Sequence, residues 1–438
     1  MTTVEFGALS VLVLVGLIWI GMHVPTAFMV VSFAGAWFIR GDINVAARLL
    51  AIAASDSISE YVFGVIPLFV LMGLVVSIAG MGRDSYAVAN QVFRKVPGSL
   101  GLSTVGGNAI FAAMTGVSVA SATIFTKLAV PEMLRYGYAP RFAVGVVGGS
   151  SVLGMLIPPS LLFILFGILT EVSIGKLFLA GIIPGLVLSF AYGAMIIAWA
   201  VWRPATFGRQ RGGDEHKGGP IYTAGQLTSM LAPIAILVAL VLGGIYGGVF
   251  TSIEAGAAGA AGALGIAFTR RRLDWKKLWQ LLLDTGSVTS SLILLIVGAN
   301  IYSRMLALTG LPGIIGDWFS AMHFGVYGML AIYIGMLLFL GCIMDSASIL
   351  FLTIPLILPV FVGLKTDLVW LGVITVITVE IGLLTPPFGM AVFIIKGSLD
   401  DQSITLRDIF LGVAPFAVVM LLVVALIVAF PWLATGLV

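Results

Sequence analysis

Apolar residues gather in runs at roughly 7–22, 24–39, 61–80, 141–168, 177–202, 227–247, 249–269, 287–308, 368–395 and 409–434. Each run is close to the ~20 residues a helix needs to cross the ~30 Å hydrocarbon layer. Barrel strands would alternate polar and apolar residues instead, so the runs predict helices. Two further apolar stretches, 99–133 and 327–364, carry small polar residues at their middles. They predict re-entrant hairpins, each made of two half-helices that enter and leave on one side. Irregular backbone at that depth persists only inside protein or beside water.

The segment 203–222 is rich in Gly, Pro and charge and reads as a linker. About five spans and one hairpin precede it, and the same set follows. An odd number of crossings turns the second half over relative to the first, which gives an inverted-topology repeat. The expected fold is therefore an all-α polytopic membrane protein with two re-entrant hairpins and two discontinuous helices. Residues 1–202 form the first repeat, with hairpin 99–133 and broken helix 141–168. Residues 223–438 form the second, with hairpin 327–364 and broken helix 368–395.

A motif repeat supports this division. Gly154-Met155-Leu156-Ile157-Pro158-Pro159 resembles Gly382-Leu383-Leu384-Thr385-Pro386-Pro387, at an offset of 387 − 159 = 228 residues. The same offset pairs Phe111 with Phe339, Ser118 with Ser346 and Pro131 with Pro359. A diproline removes two amide donors and clashes with the preceding turn. The broken helix ends leave carbonyls free to hold a cation and N–H groups free to face an anion. Paired interruptions of this kind are the best sequence pointer to a transporter's binding site.

Composition sharpens the picture. The 438 residues are 60% hydrophobic and 9% charged, against about 25% charged in a soluble domain, and mean hydropathy is +1.16. The net charge of +3 gives no reason to expect nucleic acid. A single cysteine, Cys342, excludes an intramolecular disulfide. Glu5 and no basic residue precede the first run, so that run reads as a retained span. Arg83, Arg94, Lys95, Arg135 and Arg141 flank the first hairpin, Arg203, Arg209, Arg211 and Lys217 fill the linker, and Arg270–Arg272, Lys276 and Lys277 follow the Gly/Ala-rich span. With these inside, the first hairpin opens inward, the second opens outward, and both termini lie outside. Arg40 and Arg48 fall on the wrong side of this scheme, and 42–60 is expected to lie along the interface as an amphipathic arm. Similar arms are expected near 84–96 and 273–284.

The hairpin middles carry the candidate chemistry. Thr115, Gly116, Ser118 and Ser121 stand in the first, and Asp345, Ser346 and Ser348 in the second. Hydroxyls and loose carbonyls suit a hard cation such as Na⁺, although small residues also serve tight helix packing. Asp345 reads either as a cation ligand or as a helix N-cap. Glu254 reads as structural, and Glu380 precedes the second break. His23, His216 and His323 are scattered, and no zinc spacing, nucleophile elbow or nucleotide loop appears, so an enzyme is not expected.

Longer motifs extend the case. They include Ala109-Ile110-Phe111-Ala112-Ala113-Met114-Thr115-Gly116, Ala129-Val130-Pro131-Glu132-Met133 and Leu153-Gly154-Met155-Leu156-Ile157-Pro158-Pro159-Ser160. Ser173-Ile174-Gly175-Lys176-Leu177-Phe178 and Glu380-Ile381-Gly382-Leu383-Leu384-Thr385-Pro386-Pro387-Phe388-Gly389 complete them. The chain resembles the large membrane subunit of tripartite ATP-independent periplasmic (TRAP) transporters, the DctM type, over nearly its whole length. One departure is Ser252, where the family often has proline. The resemblance implies a Na⁺-driven importer of the bacterial or archaeal cytoplasmic membrane, working as an elevator. It implies a periplasmic binding protein (DctP type) that delivers a small organic anion, carboxylate or sulfonate, and a small four-helix membrane subunit (DctQ type). Na⁺ is the coupling ion and no cofactor is expected. Position, chemistry and resemblance together assign Na⁺ to Thr115, Gly116, Ser118, Ser121, Ser150, Pro158, Asp345, Ser346, Ser348, Thr385 and Pro386. They place substrate near Ser151, Pro159, Thr378 and Glu380. The rival reading is a stand-alone divalent-anion/Na⁺ symporter without a binding protein.

Overall fold

The computed structural model describes residues 2–207, 222–315 and 325–438, and among these every regular element is a helix. Most of the linker, with Arg209, Arg211, His216 and Lys217, lies outside the described residues, as does His323. Among the described residues, seven helices are long and apolar enough to cross a membrane. An eighth is the bent pair Pro140–Leu156 and Leu161–Thr170, which turns by 43° at its break. The chain is a multi-pass membrane protein.

Helix starts keep the 228-residue offset. Val24–Arg40 corresponds to Ser252–Thr269 (252 − 24 = 228), Ser118–Arg135 to Ser346–Gly363 (346 − 118 = 228), and Pro140–Ser151 to Leu368–Gly382 (368 − 140 = 228). The halves pack by exchange. Val24–Arg40 lies on Trp275–Thr309, and Ser252–Thr269 lies on Val65–Ile78. Leu161–Thr170 packs on Ser346–Gly363, and its counterpart Met390–Ser398 packs on Ser118–Arg135. Each broken helix thus ends against the hairpin of the other half. These contacts merge into one continuous apolar core across both repeats.

The amphipathic arms differ between the halves. Residues 273–284 were expected to form an arm separate from the span at 287–308, but Trp275–Thr309 is one continuous helix of 35 residues. No proline interrupts it, and Asp274 caps its start by accepting from the Lys277 amide at 2.8 Å. That hydrogen bond holds the exposed Asp274 carboxyl below the usual carboxylate range. In the first half the arm Ile43–Ser59 is separated from its span by Glu60, whose backbone is extended. Ser57 accepts from Asn300 at 2.8 Å, and Asp56 pairs with Arg304 at 2.7 Å. The arm is thereby fastened to the long helix of the other half.

A third arm, Met81–Phe93, is fastened the same way. Arg270, just past Ser252–Thr269, reaches Asp84 at 2.5 Å, with both side chains largely shielded. Exposed ion pairs contribute 0.2–1 kcal/mol and buried ones cost several when one partner is removed. Arg270→Ala should therefore lower stability by about 1 kcal/mol or more. The pair Asp84→Arg with Arg270→Asp should recover most of the loss. Thermal unfolding in detergent checks this, and an unchanged midpoint in Arg270→Ala would remove the clamp.

Candidate functional site

Each hairpin tip docks on the break of its own half, backbone against backbone. Ser99–Thr115 ends at Gly116, which has φ +66°, a conformation glycine adopts without steric cost. A Cβ there would lie 2.5 Å from the Pro159 carbonyl oxygen. The Leu161 amide, just past the break, donates to the Gly116 carbonyl at 3.1 Å. In the second half Gly325–Gly341 meets Leu368–Gly382 at two glycines. A Cβ on either Gly341 or Gly382 would lie 2.5 Å from the other's Cα. Both diprolines, Pro158-Pro159 and Pro386-Pro387, hold a cis peptide bond.

The two breaks are not equally enclosed. Pro158, Pro159 and Ser160 are buried, whereas Pro386, Pro387 and Phe388 are exposed. The second break is also longer, running from Leu383 to Gly389 between its helices, against Ile157 to Ser160 in the first. Beside it Gly341, Cys342, Met344, Phe388 and Phe393 line a cavity of about 300 Å³. Thr385, within this break, is half-buried; its hydroxyl donates to the Gly382 carbonyl at 2.8 Å and meets the Cys342 Sγ at 3.1 Å.

Asp345 is the N-cap of Ser346–Gly363. Its carboxylate accepts from the Ser348 amide at 3.1 Å and from the Ser348 hydroxyl. Glu254 completes a capping box, accepting from the Thr251 amide at 2.8 Å.

Glu380 lies deep in the protein, 1% exposed. Its Oε1 accepts from the Ser346 hydroxyl at 3.0 Å. Ser118 and Ser346 are repeat equivalents (346 − 118 = 228), and each is the first residue of its hairpin's second helix. The positive N-terminus of Ser346–Gly363 therefore approaches this carboxylate. This offsets part of the ~2.5–3.5 kcal/mol that an acid costs at bilayer depth on insertion scales.

Other assigned residues hold local bonds. Thr115 donates to the Phe111 carbonyl, Ser150 to that of Val146 and Ser151 to that of Gly148. Ser121 and Thr378 are buried, and neither hydroxyl has a hydrogen-bond partner. Sequence reasoning missed Asn108, whose amide donates to Ser150 at 2.6 Å while its own oxygen finds no partner. An asparagine inside the apolar first arm of a hairpin was the available signal. The unpartnered oxygens of Ser121 and Asn108 suit a hard cation, because hydroxyl and amide oxygens are the ligands such ions take.

Inverted halves, paired hairpins and helices broken at depth define a secondary transporter. The chain belongs to the tripartite ATP-independent periplasmic transporters, DctM component, whose family model matches residues 11–433. It is a transporter permease, not an enzyme. It is 31% identical to the C4-dicarboxylate TRAP transporter large permease protein DctM of Pseudomonas aeruginosa, over 79% of this chain and 80% of that protein. It is 29% identical to the sialic acid TRAP transporter large permease protein SiaM of Vibrio cholerae, over 95% of this chain and 94% of the other. Among solved structures it is similar to the YdaH transporter of Alcanivorax borkumensis, with TM-score 0.62 and 13% identity over 89% of this chain and 90% of that one. That likeness supports the fold alone.

Proposed function

We propose that this chain is the large membrane subunit of a Na⁺-coupled importer that takes a small organic anion from a periplasmic binding protein. A small DctQ-type membrane subunit accompanies it in the cytoplasmic membrane. Its two repeats are residues 1–202 and 223–438, joined by a cytoplasmic linker, with the first hairpin opening inward. The observation that carries the ion reading is the pair of buried oxygens on the first hairpin, those of Ser121 and Asn108, that lack hydrogen-bond partners. Family membership supports the tripartite arrangement over the stand-alone symporter.

One Na⁺ site is assigned to each pair. The first draws on Thr115, Gly116, Ser118, Ser121, Ser150 and Pro158. The second draws on Asp345, Ser346, Ser348, Thr385 and Pro386. The anion is placed between them, near Ser151, Pro159 and Thr378. Glu380 is moved out of the substrate set, because its buried carboxylate is already engaged by the Ser346 hydroxyl and carries the wrong charge to attract an anion. The hairpins and broken helices move as one block against the other spans, an elevator supported by the reciprocal packing of each broken helix on the opposite hairpin.

The driving force is electrical as well as chemical. Each Na⁺ entering contributes about 2.3 kcal/mol per 100 mV. Two Na⁺ with one monovalent anion carry net positive charge inward. Uptake into proteoliposomes containing the full complex and loaded binding protein should require an inward Na⁺ gradient and rise with an inside-negative potential. Equal uptake with K⁺ in place of Na⁺ would remove the ion assignment. Equal uptake of free substrate without binding protein would restore the stand-alone symporter.

A further inference from the structure

We infer that Lys127 is the cationic handle of an aqueous path by which the organic anion passes from the first hairpin tip to the inner face. The inference rests on the anion-importer reading above. It deepens that reading by naming the side chain that meets the cargo's negative charge.

Positive charge is scarce in the moving block. Among the described residues, its hairpins and broken helices carry Lys127, Arg135, Arg141 and Lys396 as basic side chains. Arg135, Arg141 and Lys396 stand in the first or last turn of their helices. Arg141 pairs with Asp408, and Lys396 donates to the carbonyls of Gln402 and Ile404. Lys127 differs in both respects. It stands nine residues after Ser118 (127 − 118 = 9) and eight before Arg135 (135 − 127 = 8), more than two turns from either end of its helix. It is exposed, and among the described residues it makes no ion pair or hydrogen bond.

Its surroundings leave the charge unanswered. The helices packed against Ser118–Arg135 carry one acid, Asp84, which Arg270 already holds. Glu132, five residues along the same helix (132 − 127 = 5), is off the i+3 and i+4 positions that meet side by side. An ionisable side chain at membrane depth takes a partner or faces a water-filled cavity. The partner that fits here is a mobile oxyanion, a carboxylate or sulfonate.

The helix also offers a track. Val119, Lys127, Pro131 and Arg135 are exposed and Thr123 is half-buried, each four residues from the next, whereas Ser121, Ala122, Phe125 and Thr126 are buried. Positions four apart form one ridge. This ridge starts beside Ser118 at the tip and ends at the inner end of the helix. Ser118–Arg135 packs on Met390–Ser398, which follows the exposed break Pro386-Pro387-Phe388, and also on Val65–Ile78 and the fastened arm Met81–Phe93. It thus lies where block meets fixed span. A cation in such a cleft raises the local concentration of anions.

The test needs no knowledge of the cargo. In the reconstituted complex, Cys342→Ser leaves Thr123→Cys as the sole thiol of this chain. Position 123 is one turn from Lys127, about 6 Å away. Two membrane-impermeant methanethiosulfonates are applied from the inner side, one bearing an ethylsulfonate and one an ethyltrimethylammonium group. At low salt, the rate ratio of sulfonate to ammonium reagent should fall about tenfold in Lys127→Gln and stay high in Lys127→Arg. No reaction with either reagent shows a face closed to water and overturns the inference, as does an unchanged ratio in Lys127→Gln. A preference seen in phosphatidylcholine vesicles but erased by phosphatidylglycerol assigns Lys127 to a lipid phosphate and overturns the handle. A preference equal in both lipids supports it. Uptake driven by loaded binding protein should slow about tenfold in Lys127→Gln, with half-saturating Na⁺ unchanged and recovery in Lys127→Arg. Normal uptake in Lys127→Gln removes only the handle. An anion preference at position 123 beside Na⁺-independent uptake strikes the ion reading and leaves the handle standing, because the labelling requires no Na⁺.

Discussion

Gly382→Ala should nearly abolish substrate uptake, while Gly335→Ala, on the hairpin helix that meets Gly382, should leave it unchanged. A Cβ on Gly382 would sit 2.5 Å from the Cα of Gly341 and 3.1 Å from its carbonyl carbon. Both atoms belong to backbone, so no side chain can rotate away, and the hairpin must lift from the break. Overpacking a fitted contact costs about 1–3 kcal/mol. That is a factor of roughly 5–150 in any equilibrium that needs the contact closed. At Gly335 a Cβ meets nothing within 4 Å, and alanine is the better helix former there. The repeat predicts a graded result in the other half. Gly154 is the equivalent of Gly382 (382 − 154 = 228), but its Cβ would lie 3.0 Å from the Val117 carbonyl. A shift of a few tenths of an ångström relieves that contact, so Gly154→Ala should be the milder variant. Initial rates of uptake by the reconstituted complex at matched protein level measure all three. Equal losses at Gly154 and Gly382, or full activity in Gly382→Ala, would show that tip docking is not required.

Much of this architecture is legible in the chain because lipid imposes long apolar runs, and because the repeat writes each device twice. The diproline pair and the equivalence of Ser118 with Ser346 need no coordinates. The continuity of Trp275–Thr309 was lost because charged residues at its start read as a surface arm, and a polar surface does not end a helix without a breaker. The bond between Glu380 and Ser346 was hidden for another reason. The two stand 34 residues apart on different helices, and no local periodicity encodes a contact between them. The unequal enclosure of the two diprolines was equally out of reach. Identical motifs carry no record of which break a neighbouring helix covers.

Replacing Asp345 separates its two chemical roles. As N-cap it satisfies the Ser348 amide at 3.1 Å and engages the Ser348 hydroxyl. Loss of such a cap costs about 1 kcal/mol. As an acid it also sets a negative charge at the tip where a cation is assigned. Asparagine caps as well as aspartate but carries no charge, whereas alanine does neither. If the charge helps hold Na⁺, Asp345→Asn and Asp345→Ala should both raise the Na⁺ concentration for half-maximal uptake, by about tenfold for each 1.4 kcal/mol of lost attraction. Thermal stability should fall only in Asp345→Ala. The two measurements are independent, since one reads ion affinity and the other reads the helix start. A wild-type Na⁺ titration in Asp345→Asn, beside a destabilised Asp345→Ala, would assign this carboxylate to the helix alone. The second ion site would then rest on Ser346, Ser348, Thr385 and the carbonyls of the open break.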